Sequence, residues 1–200
     1  MNLLLFFPRH WAKLPSQVRQ FLFRCVILIF IFELYNLGFE SKYNWVNVPL
    51  TNSVSENTVK FLNALNSSNQ FGRKELERLD VFEGDKRVTH ANLIFFKGSN
   101  VLFIADTCNG FELQALFIGF ILAFPGQWKR KFIFSLFGPF LIFYVNILRC
   151  AFLVELRLNF PFHFDFAHHY LFKIIIYSFI FLLWYLFANN LNASVSVEKK

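Results

Sequence analysis

A thiol, a guanidinium and an imidazole stand at the ends of three successive apolar segments of this chain. Cys108 precedes the first segment, Arg149 lies near the end of the second, and His168 heads the third. An ionisable residue inside or at the lip of a membrane helix is costly and marks function by default. A thiol before a helix N-terminus, with a cation nearby, is favoured as the thiolate nucleophile. Histidine is the usual base for such a thiol and the usual acid for a leaving amine. A guanidinium in apolar surroundings keeps its charge and needs an anion or a dipole. Asn146 precedes Arg149 by three residues and shares its helical face, so it can orient the guanidinium or donate to an oxyanion. Asn109-Gly110 suits a tight turn that presents the Cys108 thiol. Glu112, one turn after Cys108, can orient the site, pair with Arg149 or cap the helix start.

Apolar spans must position these groups. Of 200 residues, 56% are hydrophobic and 31 are Phe, too apolar for a soluble domain of this size. A basic arm over 1–20 leads into a first span over 21–39 that is retained, because Glu40-Ser41-Lys42-Tyr43 offers no small-residue cleavage site. Glu33 lies within that span and is a candidate partner for one of the cations. Residues 40–107 form the only long polar segment, with balanced charge. Within it, Ser53-Val54-Ser55-Glu56 has capping-box spacing and predicts a short helix to Leu65, broken at Asn66-Ser67-Ser68-Asn69. The runs 91–96 and 101–105, joined by Lys97-Gly98-Ser99-Asn100, predict a β-hairpin that feeds into Cys108. A second span covers about 110–124 and a third about 132–154, kinked at Gly138-Pro139. A fourth covers about 170–187, and a tail follows over 189–200. The expected fold is an all-α integral membrane bundle of about four transmembrane helices with a small α+β extracytoplasmic insert. Residues 108–188 form its three-helix membrane core.

The net charge of +7 reports orientation in such a chain. The N-terminal arm, the 127–131 loop and the C-terminal tail are all basic, which predicts N-in and C-in. Cys108, Arg149 and His168 then share the outer leaflet, with the 40–107 insert above them. No basic-aromatic stripe suggests nucleic acid. Cys25 and Cys150 fall inside apolar runs and read as small hydrophobes. No paired cysteine spacing suggests a disulfide framework or zinc knuckle.

The order Cys108-Asn109-Gly110, Asn146-Ile147-Leu148-Arg149 and then His168 at the head of the last span resembles the exosortase/archaeosortase family. The resemblance covers about residues 100–187 and implies a short four-span bacterial variant. It implies a Cys108, Arg149 and His168 triad at the outer face of the cytoplasmic membrane and a cysteine peptidase/transpeptidase activity. The implied substrates are exported proteins whose C-terminal sorting signal has a short motif, a transmembrane helix and a basic tail. The implied acceptor is an envelope lipid or glycan, or water. No cofactor is implied. The histidine is doubled; His168, first at the helix mouth, is preferred to His169.

Each residue also has a plainer reading. Cys108 alone is more often an inert interfacial thiol, and Arg149 alone can snorkel from a helix end. Together they then form a structural polar cluster in a non-catalytic membrane scaffold with an extracytoplasmic binding domain. His163, Asp165, His168 and His169 supply enough ligands for a metal, but their spacing matches no helical zinc motif and no metal is expected.

Overall fold

The computed structural model describes residues 14–40, 43–66, 70–82 and 85–197. Arg9 and Lys13 of the basic arm, Ser67-Ser68-Asn69 of the expected break and Glu198-Lys199-Lys200 of the tail lie outside these residues.

Helix α1 (Ser16–Tyr35) continues through a π-helical segment, Asn36–Glu40, and is apolar throughout its middle. The Glu40 side chain then turns back and is fully buried. It accepts the Tyr35 hydroxyl at 2.8 Å and the backbone N–H of Asn47 at 2.7 Å. That carboxylate supplies the acceptor that the free N–H groups of a helix start require. Helix α2 therefore runs Asn47–Asn66 and begins six residues before the capping-box prediction. Glu56 is used differently, in an ion pair with Lys60 at 2.7 Å.

Three antiparallel strands follow in the order β1 (Phe71–Phe82), β2 (Asp85–Phe96) and β3 (Ser99–Ala105). The β2–β3 hairpin is the predicted one. Its turn is the two residues Lys97-Gly98, both with positive φ, as a tight hairpin turn needs. Strand β1 was not anticipated. It pairs with β2 along its whole length, and its charged residues carry no apolar alternation that would announce it.

Helix α3 (Phe111–Ala123) is short; 13 residues rise only about 20 Å. Helix α4 (Trp128–Asn159) has 32 residues and contains Pro139 within one continuous helix. After a 3-10 turn (Pro161–His163), an α turn (Phe164–Phe166) and a π segment (Ala167–Leu171), helix α5 spans Phe172–Val197. Among the described residues, three stretches are long and apolar enough to cross a membrane: Ser16–Glu40, Trp128–Asn159 and Pro161–Asn189. Helix α3 is the shorter fourth.

Helix α4 joins two cores. Close to its midpoint, Ile142 packs with Phe117 and Ile121 of α3 and with Ile176, Ile180 and Phe187 of α5. Towards its C-terminal end, Ile147, Cys150, Ala151, Leu153 and Val154 pack with Val54 and Leu62 of α2 and with Ile94, Leu102 and Ile104 of the sheet. At about 48 Å, α4 is longer than the roughly 30 Å hydrocarbon layer, so it can serve both. The basic loop ties the lower end. Lys131 donates to the Leu122 carbonyl at 2.9 Å and Arg130 to the Leu186 carbonyl at 3.0 Å, satisfying main-chain acceptors in the last turn of α3 and in α5.

At Gly138, α4 makes room for the Phe117 ring of α3. A Cβ there would stand 2.0 Å from Phe117 Cε1, and Phe117 is fully buried. At Gly119 a Cβ would meet nothing within 4 Å. Gly138→Ala is expected to destabilise the helical core by about 1–3 kcal/mol through overpacking. Gly119→Ala is expected to leave it unchanged. Thermal unfolding of the two variants in one detergent checks this; equal midpoints would contradict the packing described.

Candidate functional site

The turn Asp106-Thr107-Cys108-Asn109-Gly110 connects β3 to α3 and is held from three directions. From α2, Thr51 donates its hydroxyl to Asp106 Oδ1 at 2.7 Å. Asn109, fully buried, donates from Nδ2 to Asn47 Oδ1 at 2.8 Å and to Thr51 Oγ1 at 3.1 Å. From within the turn, Asn109 Oδ1 accepts the Phe111 N–H at 2.8 Å and so caps α3. From α4, Asn146 Nδ2 donates to the Cys108 carbonyl at 2.9 Å. Gly110 has φ of +86°, a conformation that would strain any other residue type, and it lies against Asn146.

This scaffold leaves the Cys108 side chain half-buried beside Arg149. Arg149 Nη2 stands 3.9 Å from Cys108 Sγ, and Thr107 Oγ1 lies 4.0 Å from the same sulfur. Arg149 Nη1 donates to Asn146 Oδ1 at 3.3 Å. A single amide thus fixes the cysteine backbone with one end and the guanidinium with the other. Arg149 Nε is buried without a hydrogen-bond partner among the described residues. No carboxylate lies within ion-pair distance of Arg149 among them either. A groove of about 290 Å³ opens at Arg149 between α4 and α5, walled by Leu148, Phe152, Leu171 and Phe172.

His168 lies in the π segment that leads into α5, half-buried, next to Ala167 of the upper core. Its ring stacks on Phe164 at 5.7 Å and meets the His169 ring edge-on at 4.9 Å. Arg149, Lys173 and Asp165 all interact with it electrostatically. Among the described residues it makes no hydrogen bond to Cys108 or to Arg149. His169 is exposed.

Glu112 is not brought to Arg149. It lines a separate groove with Glu33 of α1, and Glu33 is likewise exposed rather than buried against a cation. Among the described residues no three His, Cys, Asp or Glu side chains gather as metal ligands, the 163–169 cluster included.

The residues missed in the sequence are Asn47, Thr51 and Asp106. Asn47 and Thr51 are four apart and so share one helical face. That signal is readable only if the helix starts at Asn47, which depends on the remote Glu40 cap.

Asp106 carries a pH signature. Burial pushes its carboxyl above the ordinary range, against the opposing pull of the Thr51 hydroxyl and of His90. The folded state then binds this proton more tightly than the unfolded state. Its contribution to stability is fullest in acid and is lost as pH rises through the raised range. Asp106→Asn keeps an acceptor for Thr51 and removes the titration. The stability of the wild type relative to D106N is expected to grow as pH falls from about 7 to about 4. Unfolding midpoints of the two proteins at both pH values measure it; a constant difference would contradict the burial of this carboxyl.

No curated protein and no solved structure matches the chain. The family model described as "Transmembrane exosortase (Exosortase_EpsH)" matches residues 6–190, far more than the 100–187 stretch whose motifs carry the resemblance. The match takes in the polar insert, in keeping with a turn at Cys108 that α2 of that insert holds in place. The chain is a multi-pass membrane protein of the exosortase sorting system and belongs to the transmembrane exosortase family.

Proposed function

We propose that this protein is a membrane-embedded cysteine peptidase/transpeptidase. It cleaves C-terminal sorting signals of exported proteins at the outer face of the cytoplasmic membrane and passes them to an envelope acceptor. One observation carries the reading: a guanidinium that lines an apolar groove and has no carboxylate partner among the described residues stands 3.9 Å from the Cys108 thiol. Arg149 is half-buried, and a partly desolvated cation without an anion is costly unless a charge arrives during function. A thiolate or a tetrahedral oxyanion is such a charge.

In this mechanism Cys108 Sγ attacks the scissile carbonyl and the C–N bond breaks, leaving a thioester on Cys108. Arg149 holds the negative charge first on sulfur and then on the carbonyl oxygen. His168 takes the thiol proton and returns it to the leaving amine. Catalytic hydrogen bonds are often long before substrate binds, so the open His168 geometry is compatible with this role. An acceptor amine, hydroxyl or water then attacks the thioester and restores the thiol. Asn146 and Asn109 act as positioning residues. The basic arm, loop and tail support an N-in, C-in orientation, with the insert and Cys108 outside.

The test is processing of tail-anchored substrates in cells, followed as a size shift, with the amount of membrane-inserted enzyme measured alongside. Cys108→Ala is expected to abolish the shift. His168→Ala is expected to slow it by about 100-fold or more, the usual contribution of a general acid-base. His169→Ala is expected to have little effect, and Arg149→Lys to lose most activity because a fork of donors becomes a point charge. Unchanged processing by Cys108→Ala would remove the nucleophile assignment and leave a scaffold role in its place.

A further inference from the structure

Helix α1 touches α3 at two levels and leaves a gap between them. At the lower level Phe21 meets Phe120 and Phe124, each at 5.7 Å. At the upper level Phe32 meets Phe111 at 5.8 Å and Tyr35 meets it at 6.5 Å. The groove between them holds about 430 Å³ and opens sideways. Its upper end carries Glu33 and Asn36 of the α1 span and Glu112 of α3; its lower end reaches Cys25 and Trp184. Gly119 keeps its floor open. Glu33 lies eight residues beyond Cys25, so the groove runs roughly 12 Å along α1.

The lining is graded, acidic at one end and apolar along the rest. Among the described residues neither Glu33 nor Glu112 forms an ion pair. Two unpaired carboxylates in a span-length region call for a cation at that level. The gradient runs along the membrane normal, as it does in a single lipid, with a polar head above an apolar chain. A partner helix fits less well. Its cylinder is about 10 Å across, and the aromatic contacts close the gap above and below. A negatively charged headgroup is disfavoured by like charge.

We infer that this groove binds one membrane phospholipid bearing a primary amine, with its ammonium at Glu33 and Glu112 and an acyl chain running past Gly119 towards Trp184. The head stands on the same side of the membrane as Cys108, since Glu112 is only four residues from it and in the first turn of α3. The inference does not rest on the catalytic reading, because its test is lipid retention rather than processing.

The full chain, purified into nanodiscs of equal phosphatidylethanolamine and phosphatidylglycerol, is released into the gas phase and its retained lipid identified by native mass spectrometry. The wild type is expected to retain one phosphatidylethanolamine with a preference of roughly fivefold, the size of a partly screened ion pair. The double variant Glu33→Gln/Glu112→Gln is expected to lose that preference while still retaining lipid. Gly119→Phe, which fills the groove from a position with free space around it, is expected to lose the lipid altogether. Equal retention of the two lipids by the wild type, or an unchanged preference in the double variant, overturns the inference. So does a copurifying helical peptide in place of lipid.

Discussion

The buried amide of Asn146 is the interaction on which the site depends. Its Nδ2 holds the Cys108 carbonyl and its Oδ1 receives Arg149. Neither group could keep its place alone. A guanidinium among apolar neighbours seeks water, and a five-residue turn at a membrane boundary has many conformations. One side chain that satisfies both partners removes the two freedoms together. Buried polar networks are high-stakes in this way: fully satisfied they specify one geometry, and partly satisfied they cost stability. Here the network is complete at Asn146 and Asn109 and left open at Arg149 Nε. Another nitrogen of the same guanidinium, Nη2, lies 3.9 Å from the sulfur.

The length of α4 makes that arrangement possible. Its lower half packs with α3 and α5, and its upper half carries α2 and the sheet. Asn146 and Arg149 fall where the two cores meet. The polar insert thus frames the turn that carries Cys108. Through Asn47 and Thr51 it grips Asn109 and Asp106, and through Glu40 it is anchored to the end of the first span. Helix α1 is attached more loosely, by aromatic edges at two levels, with none of its residues fully buried.

Much of this was legible from residue types. Apolar runs announced the spans, and two short apolar runs on either side of Lys97-Gly98-Ser99-Asn100 announced the hairpin leading to Cys108. The meeting of Cys108 with Arg149 followed from three segments crossing in alternate directions, and the Asn146–Arg149 bond from a spacing of three. Other features depended on distant partners. The start of α2 is set by the Glu40 carboxylate reaching across the intervening loop, so a local capping box at Ser53 pointed to the wrong residue. Strand β1 is dictated by pairing with β2, and half of its residues are charged. Glu112 faces α1 rather than Arg149, a matter of helix rotation that spacing from Cys108 does not define across a 3-10 turn. His168 sits in a π segment, where α-helical spacing rules no longer place a side chain.

The central claim is that Cys108 becomes covalently acylated beside Arg149. The most direct measurement is intact-mass and peptide analysis of the enzyme caught during turnover with a sorting-signal substrate. The account predicts an adduct on the Cys108 peptide that hydroxylamine removes, as it does thioesters, and that is missing from Cys108→Ala. Substrate turnover with no such adduct, or an adduct that persists in Cys108→Ala, would contradict it.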